Sequence, residues 1–188
     1  MLRAAEIIEP RLVPYLAIGI FAGLRPQNEL RLLDWENINL EAGLLKVTRR
    51  TSKTARVRHV PIASNLAAWL GHVPKAERKG SLFYSRRFLL EIVEAARIDA
   101  KGNPAPFKME DGKAVFKKSA KLKPVRWGAD IMRHTFCSYR QAVIKNIAQL
   151  CEEAGNTPAI ARAHYLNPRA SEAEVKKFWA IMPTRKGN

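Results

Sequence analysis

Apolar residues recur at helical spacing in the first part of the chain, at Ile7, Ile8, Leu12, Leu16, Ile20 and Phe21. Pro10 marks a helix start or a break within this pattern, and Gly23 marks its end. A second short helix is predicted over residues 27–33. The chain is therefore predicted to open with helices.

A strand pattern follows these helices. Apolar residues on both sides of the turn at residues 41–43 predict a β-hairpin, and a third strand over residues 57–62 completes a small antiparallel sheet. Apolar positions then return to helical spacing. Further helices are predicted over residues 64–70 and 88–96.

The stretch from Lys101 to Arg126 is polar, rich in lysine and interrupted by glycine and proline, so a loop with room for a short hairpin is predicted. Beyond it the helical pattern resumes over residues 129–145, 147–154 and 158–166. The predicted fold class is mainly α (α+β), with a small three-stranded antiparallel sheet near the N-terminal part.

The last predicted element is a tail helix over residues 170–182. Ser171 and Glu174 have the spacing of a capping box at its start. An apolar stripe that contains Phe178 and Trp179 follows the same helix. Amphipathicity does not identify what the stripe packs against, so both its own domain and a second molecule stay open.

The net charge of the chain indicates the kind of partner that it binds. Lysine and arginine outnumber aspartate and glutamate by 33 to 17, which gives a formal net charge of +16 and a pI near 10.3. A polyanion is the natural partner of so basic a chain. Hydrophobic residues make up 47% of the sequence, which excludes a disordered basic tail. We expect a single domain over residues 1–188.

Cysteine usage and hydropathy indicate the compartment. Cys137 and Cys151 fall in predicted helices and no signal peptide precedes them, so a disulfide framework is not expected. The longest apolar stretch, residues 12–24, is interrupted by Pro14 and Gly19, and a membrane-spanning helix needs roughly 20 apolar residues. We expect a cytoplasmic protein.

Four short segments carry candidate chemistry. They are residues 22–30 with Arg25, residues 51–62 with Lys53, residues 128–136 with Asp130 and Arg133, and residues 154–165 with Asn156 and Tyr165. They contain, in this order, Gly-Leu-Arg, a lysine turn before Val-Pro-Ile, Arg-His-Thr-Phe, and a tyrosine nine residues after Asn156. Each segment alone is a weak signal. Together they resemble the catalytic domain of the tyrosine recombinases, the phage-integrase family.

The resemblance implies a role for each matching residue. Tyr165 would be the nucleophile that attacks a DNA phosphodiester. Arg25 and Arg133 would bind that phosphate, because a planar guanidinium can contact two of its oxygens at once. Lys53 would protonate the departing 5′ oxygen as the general acid.

Two positions depart from the family pattern. Asp130 stands where the family has the first histidine of its His-x-x-Arg motif, and Asn156 stands where it has histidine or tryptophan. Asp130 is interpreted as a helix N-cap or as a residue that positions the arginines, with a direct general-base role as the alternative. The amide of Asn156 can still donate a hydrogen bond to a phosphate oxygen.

The resemblance also implies the reaction and its partners. The reaction would be site-specific recombination, by strand cleavage through a 3′-phosphotyrosyl intermediate and religation, in the integration or excision of a mobile element. It would need no metal and no other cofactor. Double-stranded DNA would be the partner, bound by a tetramer that assembles from free monomers, and the protein would be associated with the nucleoid. The family's N-terminal core-binding domain has no counterpart in the chain, so weak site binding is expected of this chain alone.

Basic residues in two regions are expected to contact the DNA backbone, which would make the affinity depend steeply on salt. They are Arg49, Arg50, Arg56 and Arg58 in the first region, and Lys113, Lys117, Lys118, Lys121, Lys123 and Arg126 in the second.

Two other functions stay open. One is a catalytically inactive DNA-binding relic of an integrase, which the residues at positions 130 and 156 motivate. The other is a type IB topoisomerase, which uses the same nucleophile but relaxes DNA without exchanging partners.

Overall fold

The computed structural model describes residues 1–48, 57–117, 121–128, 130–164 and 170–184. Its helices are α1 (Leu2–Ile8), α2 (Val13–Ala22), α3 (Ser64–Gly71), α4 (Arg86–Ala95), α5 (Ile131–Ile144), α6 (Ile147–Ala154), α7 (Pro158–His164) and α8 (Glu172–Trp179). Its strands are β1 (Ile38–Asn39), β2 (Leu44–Val47), β3 (Arg58–Pro61), β4 (Arg97–Ile98), β5 (Phe107–Glu110), β6 (Lys113–Phe116) and β7 (Lys123–Pro124). The predicted fold class, mainly helical with a small three-stranded antiparallel sheet, is confirmed.

Helix α2 lies at the centre of the core and packs against both α3 and α5. The break predicted at Pro10 is confirmed, because a 3₁₀ turn at Pro10–Leu12 separates α1 from α2. The end predicted at Gly23 is also confirmed, with a left-handed φ of 65°. A Cβ atom at Gly23 would overlap the ring of Phe136 on α5. Glycine therefore lets the loop after α2, which carries Arg25, lie directly against α5.

The helix predicted over residues 27–33 is wrong, since only Leu30–Leu32 form a 3₁₀ turn. The carboxylate of Glu29 accepts a hydrogen bond from the backbone N–H of Arg25 at 2.9 Å. The carbonyl of Arg25 in turn accepts from the N–H groups of Glu29 and Leu30, at 3.1 and 2.9 Å. These bonds close residues 25–30 into a turn instead of a longer helix.

The three-stranded sheet has the order β1-β2-β3 with antiparallel pairing throughout. Leu45 lies opposite Ile38 on one side and Val60 on the other. Leu45 and Val60 are buried, whereas their neighbours along each strand are more exposed, so one face of the sheet covers the core. The predicted hairpin and third strand are confirmed.

Helices α5, α6 and α7 follow the predicted pattern in the last third of the chain. Helix α6 ends at Gly155, which adopts the left-handed conformation with a φ of 66°. The backbone N–H of Asn156 donates to the carbonyl of Cys151 at 3.0 Å, which completes the helix end. The backbone of Asn156, in the turn between α6 and α7, is thereby held in a fixed position.

Helix α8 packs on its own domain. Both halves of the predicted capping box between Ser171 and Glu174 are present. Phe178 is buried, with its ring stacked on Tyr139 at a centroid distance of 4.4 Å and in contact with Phe21 at 5.2 Å. Intramolecular contacts thus account for Phe178, the buried residue of the apolar stripe.

Two remaining expectations concern thiols and membranes. Cys137 and Cys151 are both free and buried, and burial raises the pKa of the Cys137 thiol to about 11. Within the described ranges, no helix combines the length and the apolar character needed to cross a membrane.

Truncating Phe178 to alanine is expected to lower the free energy of unfolding by about 3 kcal/mol, because the ring leaves a cavity between α8, α5 and α2. Val175→Ala, a half-buried position on the same helix, should cost less than half as much. Chemical denaturation monitored by circular dichroism measures both. Equal stabilities for wild type and Phe178→Ala would contradict the packing of α8 on its own domain.

Candidate active site

Arg25 lies in the turn after α2 and reaches across to the end of α6. Its Nη1 donates to Oε1 of Glu29 at 2.6 Å. Its Nη2 donates to the carbonyl of Gly155 at 2.5 Å and to Oδ1 of Asn156 at 3.1 Å. The side chain keeps 19% of its surface exposed. Arg25 is therefore held in place and still open to a ligand.

Arg133 projects from the first turn of α5 and is completely buried. Its Nη1 donates to the carbonyl of Gly23 at 2.7 Å. Its Nη2 donates to the carbonyl of Ala154 at 2.6 Å and to Oδ1 of Asn156 at 2.7 Å. One guanidinium thereby ties the end of α2, the start of α5 and the end of α6 together.

Asn156 is the point at which the two arginines meet. Its Oδ1 accepts a hydrogen bond from Arg25 and another from Arg133. Its Nδ2 is buried and has no hydrogen-bond partner among the described residues. Because the two cationic donors fix the oxygen end of the amide, the nitrogen end is left as a pre-oriented donor. Three of the predicted catalytic residues, from segments far apart in sequence, are thus in direct contact.

Glu29 lies beneath this cluster, a role that the sequence analysis missed. It is fully buried and binds both Arg25 and Arg58, with two hydrogen bonds from Arg58 at 3.0 and 2.7 Å. Burial alone would raise the pKa of Glu29, but hydrogen bonds and charge from Arg58, then Arg25, outweigh it and leave the pKa below its ordinary value. The sequence signal was the four-residue spacing between Arg25 and Glu29.

Arg58, expected at the DNA backbone, lies at the start of β3 with only 10% of its side chain exposed. In addition to Glu29, it binds the carbonyl of Glu153 through Nε at 2.9 Å. A Cβ atom at Gly155 would come within 3.0 Å of its guanidinium. The structure therefore places Arg58 beneath the candidate site rather than on an open surface.

Charges do not balance in this cluster. Glu29 supplies one negative charge, whereas Arg25, Arg58 and Arg133 supply three positive charges. These four side chains therefore carry a surplus of two positive charges in a largely buried setting. Such a surplus favours an anion bound beside Arg25, the most exposed of the three arginines.

Asp130 occupies the N-cap position of α5, as interpreted from the sequence, with a left-handed φ of 58°. Its side chain makes no capping hydrogen bond. Within the described part of the chain it forms no ion pair with Arg25 or Arg133. The expected side-chain cap is therefore wrong, because the left-handed backbone does not present the carboxylate as a cap.

The other predicted residues divide into two sets. Lys53 and Tyr165, together with Arg49, Arg50, Arg56 and Lys118, lie outside the described residues. Lys113, Lys117, Lys121, Lys123 and Arg126 are all exposed. The exposed set lies in and around β6 and β7, apart from the buried arginine cluster. No group of histidine, cysteine or carboxylate side chains suited to a metal ion occurs among the residues that the structure describes.

Neither a protein-family model nor a curated protein sequence matches the chain. Among solved structures, the chain is similar to XerA recombinase, with a TM-score of 0.54 and 18% sequence identity, over 95% of this chain and 60% of that one. Over this length the chain shares the fold of XerA recombinase. The resemblance inferred from the four segments is thereby confirmed at the level of the fold.

Two structures of XerH site-specific recombinase are also similar. One is bound to difH substrate in a pre-cleavage complex, with a TM-score of 0.47, 18% identity, and coverage of 86% of this chain and 46% of that one. The other is bound to palindromic difH substrate in a post-cleavage complex, with a TM-score of 0.49, 16% identity, and coverage of 94% and 48%. The chain thus spans less than two thirds of each of the three recombinase chains, at 60%, 46% and 48%.

Glu29→Gln is expected to destabilise the fold by about 3 kcal/mol near neutral pH, because it removes the charge that pairs two buried guanidinium groups. Glu91→Gln is the matched control, since Glu91 pairs with Arg87 on an exposed helix face, where such a pair contributes about 0.5 kcal/mol or less. Urea denaturation measures both variants.

The same carboxylate predicts a pH dependence. In the folded protein the pKa of Glu29 lies below 4.5, the ordinary value that applies to the unfolded chain. The stabilisation by Glu29 is therefore complete above pH 4.5 and is lost as the pH falls through the folded pKa. Between about pH 5 and pH 3, wild type should therefore lose stability more steeply than Glu29→Gln. If the free energy of unfolding fell equally with pH in wild type and in Glu29→Gln, the ion-paired state of Glu29 would be refuted.

Proposed function

We propose that this chain is the catalytic domain of a site-specific tyrosine recombinase, which cleaves and rejoins double-stranded DNA through a 3′-phosphotyrosyl intermediate. One observation carries the proposal: Arg25 and Arg133 converge on Oδ1 of Asn156, at 3.1 and 2.7 Å. All three residues were selected from the sequence for binding a scissile phosphate. The fold similarity to XerA recombinase supports the same function.

The proposed site binds the phosphate by charge and by directed donors. Arg25 is partly exposed and lies in a cluster with surplus positive charge. The Nδ2 of Asn156 adds a donor whose direction is set by the two arginines. A phosphodiester under attack spreads negative charge over its non-bridging oxygens, and pre-oriented donors stabilise that charge without having to reorganise.

In the proposed reaction the hydroxyl oxygen of Tyr165 attacks the phosphorus atom. The bond from phosphorus to the 5′ oxygen breaks, and Lys53 supplies the proton that leaves a free 5′-hydroxyl. The tyrosine loses its own proton to a base, for which the carboxylate of Asp130 is a candidate. A 5′-hydroxyl of the partner strand then reverses these steps and regenerates the tyrosine. Helix α7 ends at the residue before Tyr165 and begins two residues after Asn156.

Partners follow from this reaction. Double-stranded DNA is the substrate, and the exposed cations at Lys113, Lys117, Lys121, Lys123 and Arg126 contact its backbone. Strand exchange between two DNA duplexes requires several active sites, so a tetramer assembles on DNA from monomers. The protein acts in the cytoplasm, at the nucleoid.

An inactive DNA-binding relic is the second candidate. Asp130 favours it, because a carboxylate near a phosphate repels the substrate unless a cation offsets it, and Asp130 has no ion pair with Arg25 or Arg133 among the described residues. A relic would bind DNA in a salt-dependent way and form no covalent adduct.

Covalent trapping on DNA separates these functions. The protein is incubated with nicked suicide duplexes drawn from a randomised pool, in which loss of a short 5′-hydroxyl fragment prevents religation. Wild type is expected to form an adduct that survives denaturant and carries DNA on a tyrosine. Tyr165→Phe should abolish the adduct. Tyr139→Phe is the matched control, since it keeps the ring stacked on Phe178, and it should form the adduct at the wild-type level.

Each result is decisive for one candidate. An adduct that persists in Tyr165→Phe overturns the assignment of the nucleophile. No adduct with wild type, at protein concentrations where salt-sensitive DNA binding saturates the duplexes, favours the relic. Relaxation of supercoiled DNA without exchange of strands between duplexes establishes the topoisomerase.

Asn156→Asp tests the phosphate site without removing the contacts that hold it. The carboxylate keeps both hydrogen bonds from the arginines as charge-assisted bonds, so the free energy of unfolding should not decrease. It also removes the Nδ2 donor and lowers the surplus charge, so the rate of adduct formation should fall about 100-fold. Thermal unfolding and quantitative trapping measure the two effects. An undiminished rate would exclude Asn156 from contact with the phosphate.

A further inference from the structure

Strands β5 and β6 form a two-stranded antiparallel ribbon. Asp111 and Gly112 form its two-residue turn, with left-handed φ values of 48° and 73°. Such a pair, with positive φ at both turn residues, matches the twist of a hairpin and fixes its register. The turn therefore fixes which side chains lie opposite one another along the ribbon.

One face of the ribbon docks on the body of the domain. Phe107 lies opposite Phe116, and Met109 lies opposite Ala114. The two phenylalanine rings contact each other at a centroid distance of 5.7 Å. Phe107 and Ala114 also pack against the main core. Two residues of this face thus contact the core, whereas Met109 is 37% exposed. Every residue of the other face is exposed.

The outer face is cationic and exposed. Lys108 lies opposite Val115, and Glu110 lies opposite Lys113. Lys117 directly follows β6 and continues the row that Lys113 and Val115 begin, since alternate residues share a face. Val115 is 42% exposed at the centre of this row.

We infer that this outer face enters the major groove of the DNA, with Lys113 and Lys117 on the backbones that border the groove and with Lys108 and Val115 at its floor. The inference rests on the proposed function, because it takes DNA as the partner. It goes further by assigning a groove and a sequence-reading role to the ribbon.

Dimensions and chemistry agree with this placement. Four residues of strand separate Lys113 from Lys117 by about 13 Å, and the major groove is about 12 Å wide and admits a two-stranded ribbon. A lysine at the floor matches the O6 and N7 acceptors of guanine, and an apolar side chain beside it matches the methyl group of thymine. The minor groove, about 6 Å wide, is too narrow for the two strands.

The backbone contacts are tested by the salt dependence of binding to a pool of duplexes of random sequence. The double variant Lys113→Ala/Lys117→Ala should reduce the slope of log affinity against log salt by about 2 and weaken binding about 60-fold at roughly 0.1 M salt. The matched control is Lys75→Ala/Lys79→Ala, which removes two exposed lysines beside the start of α2, at the end of that helix away from Gly23. Equal losses in the two double variants overturn the inference.

Base reading is tested by sequencing the duplexes that the protein enriches from the same pool. Wild type and the Lys75/Lys79 control should enrich the same sequences, and Lys108→Ala should lose about tenfold preference for guanine at one position. Replacing that guanine by 7-deazaguanine, which lacks N7, should weaken DNA binding by wild type and leave DNA binding by Lys108→Ala unchanged. Enrichment that Lys108→Ala leaves intact, or no enrichment by wild type, overturns the base-reading role.

These outcomes are separate from a failure of the proposed function. If neither wild type nor any of the variants binds DNA, both the proposed function and the ribbon inference fail. If wild type binds DNA and forms the tyrosine adduct while the ribbon variants match their control, only the ribbon inference fails.

Discussion

A buried carboxylate makes the rest of this site possible. Three guanidinium groups close together repel one another, and burial makes each of them costly unless it is paired. Glu29 accepts hydrogen bonds from Arg25 and Arg58 with no exposure to water. Arg133 needs no carboxylate, because the ends of two helices supply carbonyl oxygens, at Gly23 and Ala154. The arginines are thereby fixed while their total charge stays positive.

The backbone at the ends of two helices also fixes the position of the arginines. Gly23 and Gly155 both take left-handed conformations that end α2 and α6. Each also lies against a bulky neighbour, the ring of Phe136 in one case and the guanidinium of Arg58 in the other. The two glycines thus bring the two carbonyl-rich helix ends within reach of one arginine, and Asn156 follows directly from the second of them. The geometry of the site is set by backbone turns as much as by side chains.

Much of this arrangement follows from sequence patterns. Apolar periodicity and glycine positions located the helices and the three-stranded sheet, and the order of short segments selected Arg25, Arg133 and Asn156. Patterns did not separate Arg58 from the surface arginines, because burial of a cation depends on a distant partner, Glu29. The helix expected over residues 27–33 failed for a different, local reason. The carboxylate of Glu29 accepts a hydrogen bond from the backbone N–H of Arg25, which competes with helical hydrogen bonds, and propensity does not encode that competition.

The residue at position 156 determines how the site can respond to pH. A histidine there would change its charge near neutral pH, whereas an amide does not titrate. Arginine side chains also remain charged at every physiological pH. The trio of Arg25, Arg133 and Asn156 would therefore present a constant electrostatic field to the phosphate of the proposed substrate. Any pH dependence of the proposed chemical step must then arise from groups outside this trio that exchange protons with the reacting oxygens.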